Sequence, residues 1–235
     1  MWIKFQKTKR ERERELDSLY LEFLEKAYIK FALPKLHQLG DFYSGLKNKN
    51  KNDFSDKFNS NYVSYLDVFN NLFITDIDFK KVNVQNGENQ NRVDYGDLFF
   101  TVSSETFDET GMTSVYKRQT KDPVYLNSFC FGFRFKDLNK INLSFISHYF
   151  RSNEVRNKIL KCVSGTTRFN LSKNELKNIE IFMPSIEVQN YLANILDKMY
   201  FMINQTLETL PLEIKLRKQQ YEYYRDKLLT FKNNN

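Results

Sequence analysis

With 235 residues, 41% of them hydrophobic and 16% aromatic, the chain can bury a core, which excludes wholesale disorder. Thirty-six Lys and Arg against 29 Asp and Glu leave a net charge of +7 and a pI near 9.1, a balance that favours a polyanion as partner, nucleic acid or an acidic surface. No apolar run approaches the roughly 20 residues that span a bilayer, Met1-Trp2-Ile3-Lys4 leads into charge rather than a secretory signal, and Cys130 and Cys162 make no disulfide framework, so a cytoplasmic chain with no membrane partner is expected.

In chain order, the first predicted element is a helix within residues 1–34. Leu16, Leu19, Tyr20, Phe23, Leu24, Ala27, Tyr28 and Phe31 recur at three- and four-residue spacing, and Pro34 ends the pattern. Residues 35–183 read as one mixed α/β domain of short strands, turns and short helices. Gly40-Asp41 and Ser44-Gly45 are turn-like, and Tyr62-Val63-Ser64-Tyr65-Leu66 reads as a strand. Asn86-Gly87 predicts a turn, Leu98 to Val102 a compact strand after Tyr95-Gly96-Asp97, and Phe129 to Phe135 an aromatic strand. Helical spacing follows around Phe145, Ile146, Tyr149 and Phe150, and around Val155, Ile159 and Leu160. Ser172-Lys173-Asn174-Glu175 is a capping box that opens about one turn of helix, after which Ile179, Ile181 and Met183 alternate like a strand closed by Pro184.

From 184 to 235 the chain reads as an amphipathic helical arm. Leu192, Ile195, Met199, Met202, Thr206 and Leu210 step by three and four, and Ile214, Arg217, Tyr221, Tyr224 and Leu228 continue the rhythm. That spacing suits a coiled-coil partner or a groove on another subunit; the other reading is a helix packed on its own domain. Pro211 predicts a kink or two abutting helices. The fold class expected is thus an α+β, mixed α/β domain followed by a long α-helical coiled-coil arm.

Catalytic signatures are missing. No GxxxxGK[ST] and no GxGxxG loop is present, nor the (Asn/Asp)-Pro-Pro-aromatic tetrapeptide of amino-methyltransferases. His37, His148 and the two cysteines lack zinc-ligand spacing, so no metal site is expected. Glu213-Ile214-Lys215 matches the tail of a nuclease metal motif but falls on the predicted arm with no strand-borne aspartate before it.

Three ordered stretches remain. They are Gly96-Asp97-Leu98-Phe99-Phe100 with Ser103 to Thr106, then Ser164-Gly165-Thr166-Thr167-Arg168-Phe169-Asn170-Leu171-Ser172 running to Pro184, then the arm through Arg217-Lys218-Gln219-Gln220-Tyr221 to Leu229. In this order and spacing the chain resembles the specificity subunits of type I restriction-modification systems, over about residues 36–231. The family commonly has Glu-Glu-Gln three residues after the proline that opens the arm, and here Glu187-Val188-Gln189 stands. The resemblance implies a non-catalytic subunit that reads double-stranded DNA and directs adenine methylation and restriction at a split target. It also implies modification and restriction subunits as partners, with S-adenosylmethionine, ATP and Mg held only by them. Such subunits usually carry two recognition domains and two arms. A half-length form is therefore expected, acting as a homodimer or with a second specificity chain.

Thr166, Thr167 and Arg168 offer hydroxyls, amides and a guanidinium to phosphate, although the threonines also suit a turn cap. Ser103, Ser104, Thr106, Lys117, Arg118 and Gln119 form a polar stretch that can reach base edges. Leu192, Ile195, Met199, Ile214, Tyr221, Tyr224 and Leu228 are the expected subunit-interface positions of the arm. Two other readings stay open at this point, a different basic DNA-binding protein with a dimerisation helix and a coiled-coil adaptor that binds no DNA.

Overall fold

The computed structural model describes residues 31–58 and 60–229. Its strands in chain order are β1 (Phe31–Ala32), β2 (Gly40–Ser44), β3 (Ser60–Val63), β4 (Phe73–Ile74), β5 (Lys80–Val82), β6 (Leu98–Thr101), β7 (Ser103–Ser104), β8 (Thr113–Tyr116), β9 (Val124–Leu126), β10 (Cys130–Phe135), β11 (Val163–Ser164), β12 (Phe169–Leu171) and β13 (Met183–Pro184). The described α-helices are α1 (Leu36–Leu39), α2 (Tyr65–Asn70), α3 (Leu143–Phe150), α4 (Asn153–Leu160), α5 (Lys173–Leu176) and α6 (Ile186–Leu229).

A five-stranded sheet in the order β2-β10-β6-β8-β4 forms the centre, antiparallel except where β4 meets β8. Successive side chains on a strand point to opposite faces, and β6 shows what each face meets. Leu98 and Phe100 pack with Phe131, Phe133 and Phe135 of β10 and with Phe145, Phe150 and Ile159 of the helices α3 and α4. Phe99 points the other way, into Val63, Val68, Ile74, Tyr116 and Leu126. Covered on both faces, β6 is buried at every position and so carries no polar alternation. Each fully buried phenylalanine contributes roughly 1.5–3 kcal/mol. Two three-stranded sheets, β5-β3-β9 and β11-β12-β7, and the pair β1-β13 complete the strands.

The Gly96-Asp97 motif has a structural role. Gly96 sits at φ +91°, a left-handed turn that L side chains rarely adopt. The turn drives Asp97 inward, where it is fully buried. Its carboxylate accepts from the Tyr43 hydroxyl at 2.6 Å, from Nε and a terminal nitrogen of Arg134 at 2.9 and 2.8 Å, and from the Asp94 amide at 2.8 Å. Burial, then the neighbouring Asp97, holds the Tyr43 phenol well above its ordinary range. Hydrogen bonding to Asp97 raises the Arg134 guanidinium above its ordinary value, so it stays charged.

Two other arginines brace the ends of short internal elements. Arg151 donates to the carbonyls of Val68, Phe69 and Asn71 at the end of α2, and to Thr113. Those carbonyls have no partner within so short a helix. Arg156 does the same for the carbonyls of Asp108, Thr110 and Gly111.

Contacts divide the chain into two compact units, Met1–Ala193 and Asn194–Asn235. The base of α6 belongs to the first. Gln189, 1% exposed, accepts from the Asn142 amide at 2.9 Å and donates to the carbonyls of Lys140 at 3.0 Å and Pro184 at 2.9 Å. Leu192 and Ala193 pack on the main core. The helix α6 numbers 44 residues, Ile186–Leu229.

Several expectations are corrected. Most of the predicted helix in residues 1–34 lies outside the described residues, and its last member, Phe31, instead starts β1, paired with β13. Gly40-Asp41 and Ser44 lie in strand β2 rather than turns, because β10 offers them a full antiparallel register. The strand predicted over Tyr62–Leu66 stops at Val63, since Ser64 and Asp67 form a capping box that starts α2. Of the alternation at Ile179, Ile181 and Met183, the structure keeps a single Lys35–Glu180 bridge and the two residues of β13. The helix α6 runs through Pro211 unbroken, not as two abutting helices.

Candidate nucleic-acid interface

Strand pairing brings two of the motif stretches together. β7 lies antiparallel to β12, with Ser104 opposite Phe169 and Ser103 opposite Asn170. β12 returns to β11 through the hairpin Gly165-Thr166-Thr167-Arg168. Gly165, at φ +128°, would place a Cβ 2.1 Å from the Arg168 carbonyl oxygen, so only glycine fits this turn. Thr166 and Thr167 stand exposed on it.

Arg168 reaches back across the pairing. Its Nε and a terminal nitrogen donate to Ser103 Oγ at 3.3 and 3.1 Å, and its guanidinium lies 5.7 Å from the Phe129 ring centre. On the other side, the Tyr65 hydroxyl donates to the Ser103 carbonyl at 3.0 Å. Burial raises the Tyr65 phenol, so it remains a donor. Ser103, Ser104, Thr106 and Arg168 thus line one open concavity of about 440 Å³, with Leu66 and Phe129 adding apolar surface and Glu105 and Glu109 adding carboxylates. An arginine held at two points has less rotamer entropy to lose on binding.

This arrangement, hydroxyls and a fixed guanidinium over a shallow apolar floor, suits a polyanion with flat rings better than a small enclosed substrate. The comparison of sequences then decides the family. Residues 13–216 match the family described as the type I restriction modification DNA specificity domain. The chain belongs to that family.

Among its relatives, the type I restriction enzyme EcoR124I/EcoR124II specificity subunit of Escherichia coli is 40% identical over 68 residues, 29% of this chain and 17% of that protein. A putative type I specificity subunit of Mycoplasma pneumoniae, S.MpnORF89P, is 28% identical over 142 residues, 57% of this chain and 40% of its own length. The chain therefore spans less than half of these curated relatives. The HsdS subunit from Thermoanaerobacter tengcongensis superposes with a TM-score of 0.51 at 14% identity, covering 85% of this chain and 49% of that one. A chain from a structure on complex assembly and conformational transition of the type I restriction-modification system gives a TM-score of 0.56 at 15% identity, covering 92% and 55%. At such identities the likeness establishes the mixed α+β fold.

The other predicted residues of this specificity domain lie elsewhere. Lys117 and Arg118 do not line the concavity: the Lys117 ammonium donates to Ser144 Oγ at 2.7 Å and sits over Phe73, while Arg118 donates to the Ile77 carbonyl and covers Phe79. Gln119 is exposed beyond them. Of the arm positions, Leu192 packs on the domain's own core, Ile195 is half-buried and Met199 is 51% exposed. The side chains of Ile214, Tyr221, Tyr224 and Leu228 lie outside the described ones. Tyr65, Leu66, Glu105, Glu109 and Phe129 were missed as site residues. Glu105 was within reach, lying between Ser104 and Thr106, whereas the Tyr65 contribution depends on the helix that Ser64 caps. Among the described residues no three His, Cys, Asp or Glu side chains gather as a metal site, and no helix is long and apolar enough to cross a membrane.

Proposed function

We propose that this specificity domain reads one half of a split double-stranded DNA target for a type I restriction-modification complex in the cytoplasm and performs no chemistry itself. The observation that carries the reading is the joining of Ser103–Thr106 to Gly165–Arg168 through the β7–β12 pairing, which gathers DNA-type donors from segments 65 residues apart on one open face. Adenine methylation belongs to a modification subunit with S-adenosylmethionine, and cleavage to a restriction subunit with ATP and Mg. The helix α6 acts as a coiled-coil arm that docks the modification subunit and pairs with a second copy or another specificity chain, setting the spacing between two readers.

Arg168 contacts a phosphate in this reading. Replacing it by alanine in the assembled complex should weaken binding across sequences and flatten the slope of log K against log salt by about one, because one fewer counterion is released. Unchanged affinity and slope would remove Arg168 from the interface. A complex whose DNA binding does not depend on this chain would instead favour the adaptor reading.

A further inference from the structure

The concavity beside Arg168 also holds acid. Glu105 stands between β7 and the short 3-10 turn Phe107–Glu109, with Glu109 lining the same space. The backbone on either side of Glu105 is held: the Thr106 amide donates to Ser104 Oγ at 3.1 Å, and Thr110 Oγ1 donates to the Thr106 carbonyl at 3.1 Å. Its side chain is exposed, and no described residue hydrogen-bonds or ion-pairs with its carboxylate. The arginine that lines the same concavity, Arg168, is directed to Ser103 and Phe129 instead.

A carboxylate only accepts hydrogen bonds, and phosphate offers none while repelling its charge. On a face that meets DNA, such a group therefore has to look past the backbone toward the donors on base edges. Those are the exocyclic amino groups: cytosine N4 and adenine N6 in the major groove, and guanine N2 in the minor groove. Leu66 and Phe129, 55% and 54% exposed, line the same concavity with the apolar surface that base carbons and methyl groups require. We infer that Glu105 is a specificity-determining residue that accepts a hydrogen bond from the exocyclic amino group of one base in the target. This rests on the DNA-reading function proposed above and assigns one position of it.

The test uses the assembled complex with its modification subunit, selecting DNA from a randomised library with wild type, Glu105→Ala and Glu105→Gln. Wild type should enrich a motif. Glu105→Ala should lose selectivity at a single base pair by about tenfold, with the other positions and the salt slope unchanged. Deoxyzebularine, 2′-deoxynebularine or deoxyinosine at that position, which lack the N4, N6 or N2 amino group respectively, should reproduce the loss in wild type and name the base. Melting temperatures of both variants should match wild type, since no described residue depends on this carboxylate. If wild type enriches a motif and Glu105→Ala enriches the same one, the assignment is wrong while the DNA-reading function stands. Uniformly tighter binding by Glu105→Ala overturns it equally, placing the carboxylate against phosphate. If wild type enriches no motif, the proposed function fails and takes this assignment with it.

Discussion

Removing the Arg134 guanidinium would leave the fully buried Asp97 with only the Tyr43 hydroxyl and the Asp94 amide as donors. Breaking a buried pair from one side costs about 3–5 kcal/mol; the Arg134 side chain is 43% exposed and water can replace part of it, so the loss for Arg134→Ala is set lower, at about 2–3 kcal/mol. Urea unfolding measures it, and the double variant Asp97→Leu/Arg134→Met should recover most of the loss, because no charge is then stranded. Equal destabilisation by single and double variants would contradict this account of the motif. A second residue sets behaviour in alkali. Burial pushes the Tyr149 phenol up to about 12, although the Phe182 amide donating to its oxygen at 2.9 Å pulls the other way. A raised folded-state value favours the protonated form. The contribution is therefore complete below the ordinary tyrosine value of about 10 and is lost as pH rises from there through about 12. Stability of wild type should fall more steeply than that of Tyr149→Phe across that window; parallel curves would rule the effect out.

At the scale of elements, Gln189 explains how the first turns of α6 are tied to the unit they belong to. It satisfies one amide and two carbonyls, of which the Pro184 carbonyl is buried away from water. Gln189→Leu should cost about 2 kcal/mol or more and speed hydrogen exchange in the first turns of α6; unchanged exchange there would show that the base is held by Leu192 and Ala193 packing instead. The sequence carried Gln189 only as part of a motif, since a side chain's hydrogen-bond partners 47 and 49 residues away leave no trace in local spacing. What was legible followed period and capping: β6, β10, α3 and α4 came from apolar patterns, and α5 from Ser172 and Glu175. The failures have two causes, one non-local and one local. Gly40-Asp41 reads as a turn by local chemistry, yet pairing with β10 overrides it, and Ser64 was absorbed into a strand although Ser64-Tyr65-Leu66-Asp67 is a capping box. The site divided likewise. Ser103 and Arg168 were both singled out, but their meeting depends on a strand pairing, and Lys117 to Gln119, nearer in sequence, face other surroundings.

For the whole molecule, net charge overstates how many arginines are available to DNA. Arg134, Arg151 and Arg156 direct their donors inward, to Asp97 and to backbone carbonyls, while Arg168 stands on an exposed hairpin. Substitutions should separate accordingly: Arg156→Ala should lower stability by about 2 kcal/mol or more and leave the salt slope of the surviving folded complex unchanged, the reverse of Arg168→Ala. The most direct test of the central claim is a methylation map. The chain would be co-expressed with its modification subunit in a host free of adenine methylation, and every modified adenine read by single-molecule sequencing. The account predicts one split motif that disappears when this chain is omitted and changes when residues 35–183 are exchanged for another specificity domain. Methylation at the same motif after that exchange would show that the sequence is read elsewhere, and the account would be wrong.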